Sequence, residues 1–164
     1  MLRKRKLNSN QTSGQSALQK IRRFRFGVVA ARYNTALTDA LLRSALEALS
    51  RAGATRIDTV RVPGSYEIPV VVARLAESGK YDAVLALGVV LQGKTLHAEH
   101  ITLACAINLQ RIAIKTGVPV IHQILTPRNA REAAARVRPR GLEAAQTAIE
   151  MAMTMRNVKC KTAN

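Results

Sequence analysis

Several things are scarce in this chain, and each scarcity excludes something. Tryptophan is missing, and the five aromatics are Phe24, Phe26, Tyr33, Tyr66 and Tyr81. A surface that stacks nucleobases has little to work with, and no nucleic-acid-binding motif is present. Cysteine is limited to Cys105 and Cys160, too few for a disulfide framework. Cys105 reads as a buried small hydrophobe and Cys160 as a tail residue. The longest apolar run, AVLALGVVL at 83–91, falls well short of the roughly 18 residues a membrane helix needs, so no membrane partner is expected. Acidic residues number 10 against 26 Lys and Arg, a net charge of +16.

That charge is uneven. Residues 1–25 carry eight of the bases and no acid, which leaves the rest at a net +8. The polar, basic stretch 1–23 reads as a disordered extension, with weak, salt-sensitive contact to nucleic acid as its expected partner chemistry. After MLRKRK comes LNSNQTSGQS, where a secretory signal would place apolar residues, so the expected compartment is the cytoplasm. An acid-free leader with Arg and Ser would also suit an organelle transit peptide.

At 164 residues and 48% hydrophobic content, the chain suffices for one well-cored domain, expected over 24–158 with a short tail at 159–164. Val-rich apolar runs at 24–31, 56–62, 82–91 and 118–125 predict four strands. Helical spacing predicts helices over 34–53, 68–79 and 98–117. Two closing helices are expected at 127–137 and 141–155, divided by Pro139 and Gly141. The alternation implies a mostly parallel four-stranded sheet with helices on both faces, a flavodoxin-like three-layer α/β/α sandwich. Ligands of such folds bind outside the carboxyl ends of the strands, which selects ARYN (31–34), PGSYE (63–67), LQGKTLH (91–97) and LTPRN (125–129).

One of those segments carries a deceptive pattern. GVVLQGKT at 88–95 spells the phosphate-cradling signature G-x-x-x-x-G-K-[ST]. A true P-loop turns at once so that its N–H groups face the phosphates. Val89, Val90 and Leu91 are β-branched or apolar and, with Gln92, extend a strand instead, leaving Gly93 as the turn. No strand ends in the magnesium-binding Asp that a nucleotide site also wants. What survives is smaller: Gly93, Lys94 and Thr95 precede a helix and suit one phosphate group, against the plainer reading of Lys94 as an ordinary surface lysine.

His97 stands just beyond, with Glu99 and His100 behind it. Three readings are open: a metal pair with His100, a surface histidine (the better reading for His100), or a proton shuttle beside the phosphate pocket. Ser65, Tyr66 and Glu67 form either a turn with a dipole-favoured acid or the edge of a site for a flat heterocycle. Tyr33 stacks on a planar ring or covers the sheet edge.

In order and spacing, ARYNTALT, VPGSYEIP, ALGVVLQGKTLHAEHI, TGVPVIHQILT and RGLEAAQTAIEMA resemble the lumazine synthase family over nearly all of 24–155. The resemblance implies condensation of 5-amino-6-ribitylaminouracil with 3,4-dihydroxy-2-butanone 4-phosphate to 6,7-dimethyl-8-ribityllumazine, in riboflavin biosynthesis, without metal or cofactor. It implies homo-oligomers, as pentamers or shells of twelve pentamers. It gives His97 the proton shuttle, and Gly93, Lys94, Thr95 and a neighbouring subunit's Arg136 the phosphate. Tyr33 would stack on the pyrimidine, Ser65, Tyr66 and Glu67 would hold ribityl chain and ring edge, and Val89, Val90 and Leu91 would floor the heterocycle. His122 stands where a pocket-lining aromatic is common. RVRPRG at 136–141 is about four residues shorter than the pattern and lacks its lysines, a role that Arg138 or Arg140 would have to fill. A non-catalytic lumazine- or flavin-binding relative and a shell-forming protein are the rival readings.

Overall fold

The computed structural model describes residues 21–162. The four apolar runs form one sheet: β1 (Arg25–Ala31), β2 (Arg56–Val62), β3 (Ala83–Val89) and β4 (Val120–Leu125). All pairs are parallel, in the order β2-β1-β3-β4. The two central strands are covered on both faces, so β3 is buried throughout and β1 in all but its first residue.

Side chains alternate between two cores. Phe26, Val28, Leu85 and Leu87 face Leu41, Ala45 and Leu49 of α1 (Thr35–Arg51) and the alanines of α4 (Ala130–Thr162). Val29, Val84 and Ala86 face Ile68 and Val72 of α2 (Ile68–Glu77), and Cys105 and Leu109 of α3 (His97–Thr116). The expected α/β/α sandwich is the observed fold.

The closing segment differs from expectation. It is one helix of 33 residues that runs straight through Pro139, where two helices and a loop over 137–141 were predicted. A proline inside a helix removes one backbone bond and costs about 3 kcal/mol. Packing on α1 outweighs it. Ala133, Val137, Ala144, Ala145, Ala148 and Ala152 are all buried, and buried methyl and methylene groups contribute about 0.8 kcal/mol each. Gly141 lets the two helices touch: a Cβ there would lie 2.6 Å from the Leu41 carbonyl and 3.0 Å from the Ala45 nitrogen. The buried Ser44 hydroxyl donates across the same interface to the Arg138 carbonyl at 2.7 Å. With no loop present, Arg140 pairs with Glu143 on the helix surface, 2.6 Å away.

The basic extension predicted over 1–23 lies, up to residue 20, outside the described residues. Ile21 is buried in the α1/α4 core. The tail expected from 159 begins as a continuation of α4, which ends at Thr162.

Candidate active site

Three strand ends build one cavity. After β1, the Arg32 N–H donates to the Val62 carbonyl at 2.8 Å and the Tyr33 N–H to the Pro63 carbonyl at 3.0 Å, lacing this loop to the one after β2. Tyr33 is 71% exposed, its ring held out toward solvent. Asn34 follows in the left-handed region, and its Nδ2 donates to the Val89 carbonyl at 2.8 Å.

After β2, Gly64 and a single 3-10 turn, Ser65–Glu67, lead into α2. The Glu67 carboxylate folds back to accept the Gly64 N–H at 2.8 Å, so it tightens its own loop as a helix-start acid does. Ser65 is buried. Its carbonyl accepts the Cys105 thiol from α3 at 3.2 Å, and its hydroxyl lies where a Cβ on Gly88 would stand. Burial, then the Glu67 charge, pushes the Cys105 thiol up to about 11, so it stays protonated and serves as a donor here.

The cavity encloses about 800 Å³, the size of a small-molecule site. Val89, Val90 and Leu91 line it from the end of β3, and Ser65, Tyr66 and Glu67 from the turn. Tyr33 and His97 complete the set of eight expected residues that share it. Sequence reading selected Asn34 and Gly64 only as parts of the segments 31–34 and 63–67, missed Ile101 and Ala104, and assigned His100 to the surface. His100 is exposed but also lines the cavity. Helical periodicity contained that signal, because 97, 100, 101 and 104 share one face of α3. Among the described residues, no group of three or more His, Cys, Asp and Glu gathers as a metal site would require.

The segment resembling a P-loop does not act as one. The Val90 N–H donates to the Leu125 carbonyl at 2.8 Å and the Gln92 N–H to the Pro127 carbonyl at 3.0 Å, continuing the ladder toward β4. Two of the backbone donors that a nucleotide would need are thus taken. Gly93 was expected to make the turn, but the bends fall at Lys94 and Thr95 and the left-handed glycines are 53, 79 and 117. Gly93, Lys94 and Thr95 are exposed beyond the cavity floor and do not line it.

Arg136 and His122 do not reach this cavity either. Arg136 lies on α4, across the sheet from α3, half-buried and paired with Glu132 at 3.1 Å. The Arg128 N–H, assisted by Arg136, holds the Glu132 carboxyl below its ordinary value. His122 sits on the edge strand β4. The residue is exposed, yet loss of hydration within the protein lowers its pKa.

Fold and site together define an α/β small-molecule enzyme class: a parallel sheet with a cavity where β1 and β3 diverge, apolar beneath, polar at one edge, histidine-lined at the other. The family profile described as 6,7-dimethyl-8-ribityllumazine synthase matches residues 23–156. The chain is 43% identical over 138 residues to the 6,7-dimethyl-8-ribityllumazine synthase of Thermococcus gammatolerans, covering 82% of this chain and 90% of the relative. The protein of that name from Thermococcus kodakarensis is 41% identical over 140 residues, 84% and 90% of the two chains. The one from Paraburkholderia phymatum is 42% identical over 130 residues, 78% and 76%. The chain belongs to the 6,7-dimethyl-8-ribityllumazine synthase family.

Proposed function

We propose that this protein catalyses the condensation of 5-amino-6-ribitylaminouracil with 3,4-dihydroxy-2-butanone 4-phosphate to 6,7-dimethyl-8-ribityllumazine, a step of riboflavin biosynthesis. The observation that carries this reading is the convergence of Tyr33, Ser65–Glu67, Val89–Leu91 and His97 on one cavity. A flat pyrimidine fits the apolar floor, with the exposed Tyr33 ring to stack on it. The turn at 65–67 offers backbone and hydroxyl groups to ring edge and ribityl chain.

The chemistry asks mainly for proton movement. The substrate's primary amine adds to the ketone, and loss of water leaves an imine. Elimination then expels phosphate and leaves an enol, which tautomerises to a new carbonyl; attack of the ribitylamino nitrogen on that carbonyl closes the ring with loss of a second water. Each step takes a proton from one atom and returns one to another, work suited to an imidazole. His97, at the first turn of α3, carries that role. Gly93, Lys94 and Thr95, between the floor and α3, receive the phosphate.

Arg136, remote from its own chain's cavity, completes the phosphate site of a neighbouring subunit, and His122 borders the pyrimidine in the same way. Such an arrangement requires a homo-oligomer. Support comes from α3 and the residue before it, where Leu96, Leu103, Ile107 and Ile114 are 60%, 62%, 44% and 74% exposed along one stripe. Helical geometry sets this stripe opposite the buried Ala98, Cys105 and Leu109. We assign the assembly to pentamers, alone or as twelve in a shell.

The test is an assay with both purified substrates, following lumazine absorbance. The wild type should turn over, and His97→Ala should be slower by about 10 to 10⁴-fold, the range for losing a positioned acid–base group. Tight binding of the ribitylaminouracil with no lumazine formed would favour a non-catalytic relative. An unchanged His97→Ala rate would remove that residue from the mechanism.

A further inference from the structure

We infer that Asn34 is a positioning residue: it ties the Tyr33 loop to the end of β3 and so sets the pyrimidine-binding wall before substrate arrives. Among the described residues it is the one non-glycine with positive φ, at φ 56° and ψ 46°. It also occupies the position before the first turn of α1, where an asparagine side chain ordinarily caps the helix. Here it makes no cap bond. Asn34 therefore accepts an unfavourable backbone conformation and forgoes its usual local partner.

What it does instead is reach across the cavity wall, with Nδ2 2.8 Å from the Val89 carbonyl. The sheet explains why that oxygen needs a partner. The Val90 N–H points to β4, where it meets the Leu125 carbonyl. In a planar trans peptide the Val89 carbonyl must then point the other way, toward β1. The paired register of β1 with β3 stops at Ala30 and Leu87, so the ladder has no rung left for it. Val89 is only 2% exposed, so water is a poor substitute. The Asn34 amide supplies the missing rung. The backbone around it is fixed in turn: the Thr38 hydroxyl donates to the Tyr33 carbonyl at 2.7 Å, and the Asn34 carbonyl accepts the Leu37 and Thr38 N–H groups. One side chain thus spaces the stacking residue, Tyr33, from the floor, Val89–Leu91.

The residue type follows from two demands. Glycine meets the backbone demand but has no donor, and an ionised aspartate tolerates the conformation but can only accept. The inference rests on the cavity being the ribitylaminouracil site, so the experiment measures that ligand alone. Equilibrium binding of 5-amino-6-ribitylaminouracil is titrated against wild type, Asn34→Gly, Asn34→Asp and, as a control, Tyr33→Ala. Melting curves and steady-state KM for both substrates are measured alongside.

Asn34→Gly should fold and bind the ribitylaminouracil about ten-fold more weakly, the scale of one lost hydrogen bond, with KM for the butanone phosphate within about two-fold. Asn34→Asp should bind more weakly still at neutral pH and recover toward Asn34→Gly or beyond as acid protonates the carboxyl into a donor. A merely structural asparagine would move melting temperature and both KM values together, with no such pH difference between the variants. If Tyr33→Ala loses affinity while Asn34→Gly binds like wild type, the Asn34 inference is wrong and the site reading stands. If the wild type binds no ribitylaminouracil, the site reading fails and takes this inference with it.

Discussion

Gly88 offers a sharp test of how the sheet shapes the cavity. It lies one residue before the floor, and a Cβ built on it would collide with the Ser65 hydroxyl, while Ser65 Cβ and Ile124 Cγ1 would stand at 3.4 and 3.5 Å, ordinary contact distances. Ser65 is 6% exposed, so its hydroxyl has little room to turn aside. Overpacking by one methyl costs about 1–3 kcal/mol. Relieving a strand of its glycine returns about 0.5–1 kcal/mol. Gly88→Ala should therefore lose about 0.5–2 kcal/mol, which for a chain of this size is a fall of about 1–8 °C in Tm. Ser65→Ala removes the colliding atom, so the double variant should regain most of the loss, a favourable coupling of about 1 kcal/mol. Melting at one fixed protein concentration measures the cycle without interference from assembly. Steady-state kinetics should show the KM for the ribitylaminouracil raised in Gly88→Ala, because the displaced Ser65 lines the cavity. A single variant as stable as wild type, with effects additive to about 0.5 kcal/mol, would refute the close-packing argument.

Three further outcomes are expected. Co-refolding His97→Ala with Arg136→Ala in equal amounts should restore about a quarter of wild-type activity, because one interface in about four then joins an intact His97 to an intact Arg136; mixed assemblies that stay at the parental rate would place both residues in one subunit's site. Gly141→Ala should destabilise by about 1–2 kcal/mol despite alanine's better helix propensity, since its Cβ meets α1 backbone; equal or higher stability in urea titration would contradict that. The Arg25 guanidinium, then the Tyr81 hydroxyl, holds the Asp58 carboxyl below its ordinary value near 3.8. A lowered folded-state pKa stabilises above the unfolded value and is lost as pH falls through the folded one, so the stability gap between wild type and Asp58→Asn should be full at neutral pH and close below about pH 4; a gap constant to lower pH would exclude this linkage.

Much of this protein is written in local pattern. Period-two and continuous apolar runs, with glycine and proline between them, suffice to name four strands and the helices joining them, because burial on both faces of a parallel sheet leaves no other place for Val84–Val89. The branched residues at 89–91 likewise foretell an extended backbone where a phosphate loop would bend, and strand-end position singles out Tyr33, Ser65–Glu67 and His97. Other features depend on atoms distant in sequence. Pro139 reads as a helix break until α1 packs along α4 and the buried alanines outweigh one missing bond. His100 reads as a surface residue and is exposed, but only the placement of α3 over the strand ends also makes it part of the cavity wall. Asn34 reads as the first residue of a helix, and only the divergence of β1 from β3 leaves the Val89 carbonyl that draws its side chain across the cavity wall. Local sequence sets which backbone conformations are cheap; which of them prevail, and which polar atoms need a partner, is decided only when the sheet brings residues 55 positions apart within 2.8 Å.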